Sequence, residues 1–305
     1  MKRAEIRKDY LLDKYVIIAP KRSNRPRNVM VEAVETNLPS PLTPDHIKKQ
    51  NIIDMIGSGK TAVMSVKNPF PAVTVSNSKA YGTQEVVIET PDPEKQLADL
   101  GTAQIARVLE MYGRRTNALS RHKKLNYILV FKNEGSKAGA SFKHAHSQIF
   151  ATELMPPEIA AIEKKTAIYR EKSGRSFYAD LIEKEMKSSR RVYEDKHVAV
   201  FTPYASFYHY EIWIFTKRAA DNISNLTSAE LTATARALEK ILQTLKQLNL
   251  HYNLFCHQVT ADRHEHFCIK IQPRGSIWGG VELDSGVVIN SIPPEEAAKL
   301  YRKAF

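Results

Sequence analysis

Short runs of apolar residues separated by polar turns recur along the chain, and this pattern predicts a sheet accompanied by a few long helices. The runs EVVIET, NYILVF and YEIWIF are rich in β-branched and aromatic residues, as strands usually are. Thr227 and Glu230 form a capping box at the start of one predicted helix. Two segments repeat mostly apolar residues at helical spacing: Ile105, Leu109, Tyr112, Thr116 and Leu119, and then Leu231, Leu238, Ile241, Leu242 and Leu245.

The same order of elements occurs twice, which indicates an internal duplication. In the first copy, NPFPAVTV and EVVIET precede a helix, and NYILVF and FKHAHSQIFA follow it. In the second copy, HVAVFTPY and YEIWIFTK precede a helix, and HYNLFC and RHEHFCIKI follow it. We therefore predict an α+β fold with a mostly antiparallel sheet and packed helices. The predicted units are a first half at 1–155, a helical linker at 156–195, a second half at 196–275 and a terminal segment at 276–305.

The sequence GSGKT at 57–61 resembles part of a phosphate-binding P-loop. A P-loop requires a glycine five positions before its last glycine, and Asp54 occupies that position here. We also expect no strongly hydrophobic strand before this segment. The sequence therefore argues against a nucleoside triphosphate loop.

Composition is that of an ordinary globular protein, so net charge and cysteine content carry more information. The formal net charge of +12 favours an anionic partner, either a phosphorylated metabolite or a nucleic acid, or reflects a solvated basic surface. The basic stretches lack the interleaved aromatic residues of a single-strand binding face, which argues against nucleic acid. The two cysteines, Cys256 and Cys268, form no CxxC pair, as expected of a protein in the reducing cytoplasm.

Membrane insertion is not expected from the hydropathy pattern. The longest apolar runs, such as YVIIA and YILVF, are strand-sized and far shorter than the roughly 18 residues of a membrane helix. The residues MKRAEIRKDY are not followed by the apolar run of a signal peptide. We therefore expect a cytoplasmic protein without membrane contact.

The stretch GSKAGASFKHAHSQIF, residues 135–150, contains the strongest candidate chemistry in the chain. Alternate side chains of a strand share a face, so His144, His146 and Gln148 are predicted to line one face together. A neutral imidazole is a competent nucleophile at phosphorus, and a glutamine amide donates to a phosphate oxygen without titrating. Small residues before the strand allow backbone N–H groups to approach an anion closely. The alternatives are a pair of core histidines or a two-histidine metal site.

This stretch closely resembles the active-site segment of the galactose-1-phosphate uridylyltransferases, a family of the histidine-triad superfamily. The matching residues are Asn133-Glu134-Gly135, Gly139-Ala140-Ser141 and His144-Ala145-His146-Ser147-Gln148. DYLLDKYVIIAPKRSNRPRN and the tail GGVELDSGVVINSIPPEEAAKLYR extend the resemblance over most of the chain, and the tail is especially similar to that of ADP-glucose phosphorylase, a relative within the family. The resemblance implies that the two halves are histidine-triad-like.

The resemblance also implies covalent transfer of a nucleoside monophosphate from a nucleotide sugar to a hexose 1-phosphate or to inorganic phosphate. His146 would be the nucleophile that forms a nucleotidyl-histidine, with His144 and Gln148 beside it. Glu282 would contact the sugar in the site of a partner subunit, which implies a homodimer. Contacts to the phosphate and nucleoside would come from Arg22, Arg25, Asn68, Asn133, Gly139 and Ser141.

Two departures from the family pattern bear on metals and on the sugar. Members with a structural zinc ion carry a CxxC pair near the N-terminus and a histidine after the second strand, whereas here no cysteine precedes Cys256 and TPDPEK at 90–95 holds no histidine. Only His144 remains of that ligand set, so we predict no zinc and no other cofactor, and we do not expect the iron-type site of some members. Ser276 replaces a lysine that some uridylyltransferases place ahead of Glu282, which weakens the assignment to galactose.

A second HxH pair, His264-Glu265-His266, occupies the corresponding place in the second half, with Cys268 at the position of Gln148. We interpret it as a degenerate copy whose polar residues are structural. A metal cluster that includes His257 is the alternative.

Two other functions remain open from the sequence. One is a hydrolase of dinucleoside polyphosphates or nucleotidyl conjugates; Gln148 disfavours it, because the superfamily hydrolases carry a third histidine there. The other is a non-catalytic protein that binds nucleotides or nucleic acid through its basic surface. The sequence distinguishes neither uridine from adenosine nor one sugar from another.

Overall fold

A ten-stranded sheet runs through the computed structural model, which describes residues 3–24, 40–260 and 265–305. The strands are β1 Glu5–Lys8, β2 Tyr15–Ile18, β3 Ile52–Ile56, β4 Val63–Lys67, β5 Gly82–Ile88, β6 Tyr127–Glu134, β7 His146–Thr152, β8 Arg191–Glu194, β9 Val198–Phe201, β10 Ile212–Thr216, β11 Tyr252–His257, β12 Cys268–Pro273 and β13 Val288–Asn290. The large sheet has the order β3-β4-β5-β7-β6-β11-β12-β10-β9-β8. Its neighbouring strands are all antiparallel, which confirms the predicted sheet type.

The strands follow one another in the same order from either edge of the sheet, as expected of a duplicated chain. Strands β3, β4, β5, β7 and β6 form one half, and β8, β9, β10, β12 and β11 form the other in the same order. At the junction Val130 of β6 opposes Cys256 of β11. Val130 also opposes Ile149, and Cys256 also opposes Ile269. A half-turn about the Val130–Cys256 pair therefore superimposes the two registers.

One face of the sheet is covered by two long helices, and we call it the helix-covered face. The helices of the chain are α1 Thr102–Ser120, α2 Pro157–Ser173, α3 Phe177–Met186, α4 Ser228–Gln247, α5 Gly280–Ser285 and α6 Pro294–Tyr301. Helices α1 and α4 pack together on the sheet, and their apolar stripes form the main core with strand residues such as Val130 and Ile149. Ile105 and Ile241 are fully buried there. Burial of such side chains stabilises the fold by about 1.5–3 kcal/mol each.

The strand before EVVIET differs from the one that the sequence predicted. It is β4, with the sequence VMSVK, whereas NPFPAVTV forms turns. Pro69 and Pro71 supply no N–H for a strand ladder. Asn68 Oδ1 also accepts the N–H of Phe70 at 2.8 Å, which turns the chain away from the sheet. The predicted strand at NPFPAVTV was therefore wrong.

The GSGKT segment lies in the connection between β3 and β4, which are antiparallel neighbours. A strand, IIDMI, does precede it, contrary to expectation. However, the segment leads through a single 3-10 turn at Gly59–Thr61 into another strand, and not into the helix that a P-loop requires. The structure thus confirms that this segment is not a P-loop.

A small sheet in the order β1-β2-β13 joins the N-terminal segment to the tail of the chain. Strand β13 runs parallel to β2, and Arg7 in β1 binds Glu295 in α6 with a separation of 3.0 Å between Nη1 and Oε1. The turn at Pro20–Asn24 follows β2, and α5 precedes β13. Arg22 and Glu282 therefore lie in segments that adjoin the small sheet.

Candidate active site

Strand β7 begins at His146, next to the centre of the large sheet. Ser147 and Ile149 point into the helix-covered face, where both are buried. His146 and Gln148 must therefore point to the opposite face, which we call the site face. The shared orientation predicted for His144, His146 and Gln148 follows from this alternation for His146 and Gln148, whereas His144 precedes the strand and its ring binds Thr90 and Ser40 instead.

The imidazole of His146 is held in one orientation by the backbone. Its Nδ1 donates to the carbonyl oxygen of His144 at 2.8 Å, and its ring lies edge-on to Phe142 with centroids 6.3 Å apart. This bond places the proton on Nδ1 and leaves the lone pair on Nε2, which has no partner among the described residues. Burial, assisted by the charge of Lys132, lowers the pKa of His146. The ring is therefore neutral at pH 7 and held in one orientation, with the lone pair of Nε2 available.

Gln148 and Asn133 flank His146 on the site face. Gln148 is half-buried, and its side chain has no hydrogen-bond partner within the described part of the chain. Phe131 of β6 opposes Gln148, so Asn133, two residues further on, also points to the site face beside His146. The structure thus brings together three of the residues predicted to act on the phosphate.

The loop before β7 depends on glycines at two positions. Gly135 and Gly139 have φ angles of 79° and 82°, a region that other residues rarely adopt. A Cβ at Gly135 would also lie 2.5 Å from the ring of His251. Asn133 Nδ2 donates to the carbonyl of Gly139 at 3.4 Å, which ties the loop to β6. Ser141 is exposed in the same loop, two residues beyond Gly139.

Two residues of the second half support this loop, and the sequence did not reveal them. Asn253 of β11 donates through Nδ2 to Asn133 Oδ1 and to the carbonyl of Ala138, both at 2.8 Å. Arg274 in turn donates to Asn253 Oδ1. Asn253 is recognised as a supporting residue because it is a buried asparagine opposite a predicted site residue. That position is known only from the register of β6 and β11.

Comparison with known proteins identifies the family of this chain. A family model of the galactose-1-phosphate uridyl transferase N-terminal domain matches residues 58–156. The chain is also similar to ADP-glucose phosphorylase of Arabidopsis thaliana, with 30% identity over 329 residues, covering 98% of this chain and 92% of the relative. It belongs to the galactose-1-phosphate uridylyltransferase family. The curated relatives it matches are nucleotidyl-transferring enzymes of this family.

Further relatives and solved structures agree with the family assignment. Galactose-1-phosphate uridylyltransferase of Thermotoga maritima is 26% identical over 321 residues, covering 98% of each chain. The crystal structure of an Arabidopsis thaliana ADP-glucose phosphorylase with bound ADP-glucose has a TM-score of 0.85, 29% identity and 99% coverage of both chains. A uridylyltransferase structure has a TM-score of 0.77 at 24% identity and 98% coverage of both chains, and it supports the fold alone.

His144 occupies the position of a zinc ligand in the family, but here its ring is held by hydrogen bonds. This side chain is only 1% exposed, and both ring nitrogens are committed: Nε2 donates to the Thr90 carbonyl at 2.7 Å, and Nδ1 accepts from the Ser40 hydroxyl at 3.0 Å. Within the described residues, no group of three or more His, Cys, Asp or Glu side chains is placed to hold a metal ion. The residues around His144 therefore do not fit a zinc ion, and a hydrogen-bond network fixes this side chain.

The remaining predicted contact residues lie further from His146 in sequence and in the sheet. Asn68 follows β4, two strands from β7, which corresponds to about 10 Å at ordinary strand spacing. Arg22 is exposed in the turn after β2, and Arg25 lies outside the described residues. Glu282 caps its own helix, with Oε2 accepting the N–H of Gly279 at 2.9 Å. Within one chain, the structure gives no contact between His146 and the described side chains of Asn68, Arg22 and Glu282.

His266, the described histidine of the second HxH pair, is covered by α3. His264 lies outside the described residues, and the half-turn that relates the two registers matches His266 to His146 and Cys268 to Gln148. The ring of Tyr178 in α3 lies 6.4 Å from that of His266, and its hydroxyl is 3.1 Å from His257 Nε2. Burial lowers the pKa of His266 to about 4.

A buried thiol is the other feature of this second site. Cys268 is fully buried, and burial raises its pKa to about 12, which keeps it a neutral thiol. A covered histidine and a protonated thiol favour the structural interpretation of the second pair.

None of the helices in the described ranges has the length and apolar character needed to cross a bilayer.

Proposed function

We propose that this protein transfers a nucleoside monophosphate through a covalent intermediate on His146. Nε2 of His146 attacks the α-phosphorus of a nucleotide sugar, a P–N bond forms, and the P–O bond to the sugar phosphate breaks. The sugar 1-phosphate leaves, and an oxygen of the second substrate attacks the same phosphorus and breaks the P–N bond. The observation that carries the proposal is the neutral ring with Nδ1 bound to the His144 carbonyl and Nε2 beside Gln148 without a partner in the described ranges of the chain.

The donor that we favour is ADP-glucose, with inorganic phosphate as the acceptor. The products would then be glucose 1-phosphate and ADP. Identity and structural similarity to ADP-glucose phosphorylase exceed those to the Thermotoga maritima uridylyltransferase and to the solved uridylyltransferase over almost the whole chain, which supports this choice. The second candidate is uridylyl transfer from UDP-glucose to a hexose 1-phosphate, which the match to the uridyl transferase domain favours.

The proposed roles of the other residues follow from their positions and chemistry. Gln148 and Asn133 donate N–H groups to the α-phosphate from the site face, and Ser141 and the Gly139 loop contact it from the side. Their neutral donors stabilise charge on the phosphate without competing for protons. Arg22 and Arg25 supply positive charge, and Asn68 contacts the nucleoside. A formal net charge of +12 favours recruitment of doubly anionic substrates.

We also propose that the active protein is a homodimer in which Glu282 reaches the partner's sugar site. Helix α5 and the residues before it expose Ile277, Val281 and Leu283, an apolar group next to Glu282. Such a group is costly in water and is typical of an interface. Sedimentation velocity should give a dimer, and mixing inactive H146A with inactive E282A should restore activity if the site is shared. A monomeric, fully active protein would exclude this arrangement.

A comparison of acceptors tests the choice of reaction. The protein is incubated with ADP-glucose or UDP-glucose, each with inorganic phosphate, with galactose 1-phosphate or with no acceptor. We expect the fastest release of glucose 1-phosphate from ADP-glucose with inorganic phosphate. Fastest turnover of UDP-glucose with galactose 1-phosphate would favour the second candidate. Steady release of free nucleoside monophosphate without any acceptor would instead indicate a hydrolase.

A further inference from the structure

A buried lysine lies directly behind the proposed nucleophile, on the helix-covered face. Lys132 of β6 is 1% exposed, and its Nζ donates to the carbonyl oxygen of His146 at 3.0 Å. The same Nζ binds Glu89 Oε2 at 3.0 Å and Glu134 Oε2 at 3.2 Å. Burial alone would lower the pKa of Lys132, but attraction to these carboxylates outweighs it and raises the pKa. Lys132 is therefore a fixed, charged donor to the nucleophile's own backbone.

Lys132 lies just beyond the point where the pairing of β6 with β7 ends. Pairing of β7 with β5 continues to the Ile88–His146 pair. Pairing of β7 with β6 stops at Phe131–Gln148, although β6 itself stays paired with β11 as far as Glu134. Next to β6, the carbonyl of His146 takes its hydrogen bond from the side chain of Lys132. The lysine thus replaces a ladder bond at the point where the site requires the two strands to separate.

The residue after the nucleophile is held by the same cluster. Ser147 donates from its hydroxyl to Glu89 Oε1, and Tyr112 of α1 binds both Ser147 and Glu89. All three side chains are at most 1% exposed. Glu89 also donates its backbone N–H to the Ala145 carbonyl at 3.1 Å. Hydrogen bonds from the helix-covered face therefore hold the backbone on both sides of His146.

We infer that Lys132, together with Glu89 and Ser147, is a positioning unit that aims His146 Nε2 at the α-phosphorus. This inference rests on the proposed function, because it concerns the orientation of the same nucleophile. A charge-assisted bond to the His146 carbonyl restricts the backbone from which the imidazole projects. Displacement of a reacting group by about 1 Å can slow a reaction by about 10²-fold. The unit acts on the rate of transfer and not on substrate affinity, since it contacts no surface of the site face.

The test replaces the buried pair by neutral residues of similar size. The double variant K132M/E89Q removes both members of the fully buried pair, whereas K132M alone would leave Glu89 unpaired and would destabilise the fold; Glu134 also loses Lys132, but 19% of its side chain remains accessible to water. The matched control is R115M/E85Q, which removes another buried ion pair of the helix-covered face, with Arg115 Nε 2.8 Å from Glu85 Oε2. The assay is rapid-quench labelling of the protein by ADP-glucose or UDP-glucose carrying a radioactive α-phosphate.

We expect K132M/E89Q to label roughly 10- to 100-fold more slowly than wild type at saturating donor, with the half-saturating concentration changed by less than about twofold. R115M/E85Q should label at the wild-type rate. Labelling of folded K132M/E89Q at the wild-type rate would overturn the inference, as would an equal loss in the control. Absence of label on wild-type protein with both donors would overturn the proposed function itself, and this inference with it.

A milder variant keeps the inference testable if the double variant does not fold. S147A removes only the hydroxyl that binds Glu89 and Tyr112. Labelling should slow by roughly 3- to 10-fold, which corresponds to about 0.7–1.4 kcal/mol, with the half-saturating concentration unchanged. A wild-type rate in S147A would argue against a positioning unit.

Discussion

Substitution of Gln148 by alanine separates its proposed role in transfer from any role in stability. The side chain is half-buried on the site face and has no hydrogen-bond partner within the described residues. Its removal therefore leaves no buried donor or acceptor without a partner. We expect the free energy of unfolding to change by less than about 1 kcal/mol. A large loss of activity would then reflect a contact made to substrate.

The size of that loss follows from the chemistry of the contact. A hydrogen bond to a charged oxygen contributes about 1.5–3 kcal/mol. Since each 1.36 kcal/mol corresponds to a factor of ten in rate, the Q148A variant should transfer about 10- to 150-fold more slowly. The assay is rapid-quench formation of labelled protein from the nucleotide sugar, with thermal unfolding measured on the same samples.

Gln272 provides the matched control. It is a half-buried strand glutamine that points to the same face of the sheet in the second half, where it opposes Asn253. The Q272A variant should label at the wild-type rate to within about twofold, an energy of about 0.4 kcal/mol. A Q148A rate within twofold of wild type, or equal losses in both variants, would refute the proposed phosphate contact of Gln148.

Two further predictions concern stability. S40A should lower the free energy of unfolding by about 1–3 kcal/mol in urea titrations, because His144 Nδ1 loses its donor in a buried position, and an unchanged stability would contradict the network that we describe in place of zinc. The Arg218 partner and the cap bonds of α4 outweigh burial and lower the pKa of Glu230 to about 2, so its stabilising effect is full above about pH 4.5 and is lost as pH falls towards 2. E230Q should therefore destabilise the protein by about 2 kcal/mol at pH 7, a value reduced because Arg218 is half-exposed, and by much less at pH 2.5; an equal loss at both pH values would refute this.

Local patterns were sufficient to predict much of the fold. Helical spacing identified α1 and α4, and the capping box was confirmed, with Glu230 Oε2 accepting the Thr227 N–H at 2.8 Å. Strand alternation placed His146 and Gln148 on one face, because that geometry depends only on neighbours in the chain. In NPFPAVTV the apolar residues favour a strand, but Pro69 and Pro71 lack the N–H groups that a strand ladder requires, and the prolines decide the structure.

Contacts between strands that are far apart in sequence could not be predicted from local patterns. Lys132 alternates with apolar residues in NYILVFKN, where a lysine usually points to solvent, yet its partners Glu89 and His146 bury it. Asn253 became a site residue only through its register opposite Asn133. Both depend on strand pairing over long separations, which no local pattern encodes.

Intact-protein mass spectrometry shows whether His146 bonds covalently to the nucleotide. Wild-type protein and H146A are incubated separately with ADP-glucose and with UDP-glucose, without an acceptor. We predict that wild-type protein gains the mass of one nucleoside monophosphate from its preferred donor, with AMP favoured, and that H146A gains nothing. An unmodified wild-type protein that still turns over the donor, or a modified H146A, would contradict the account.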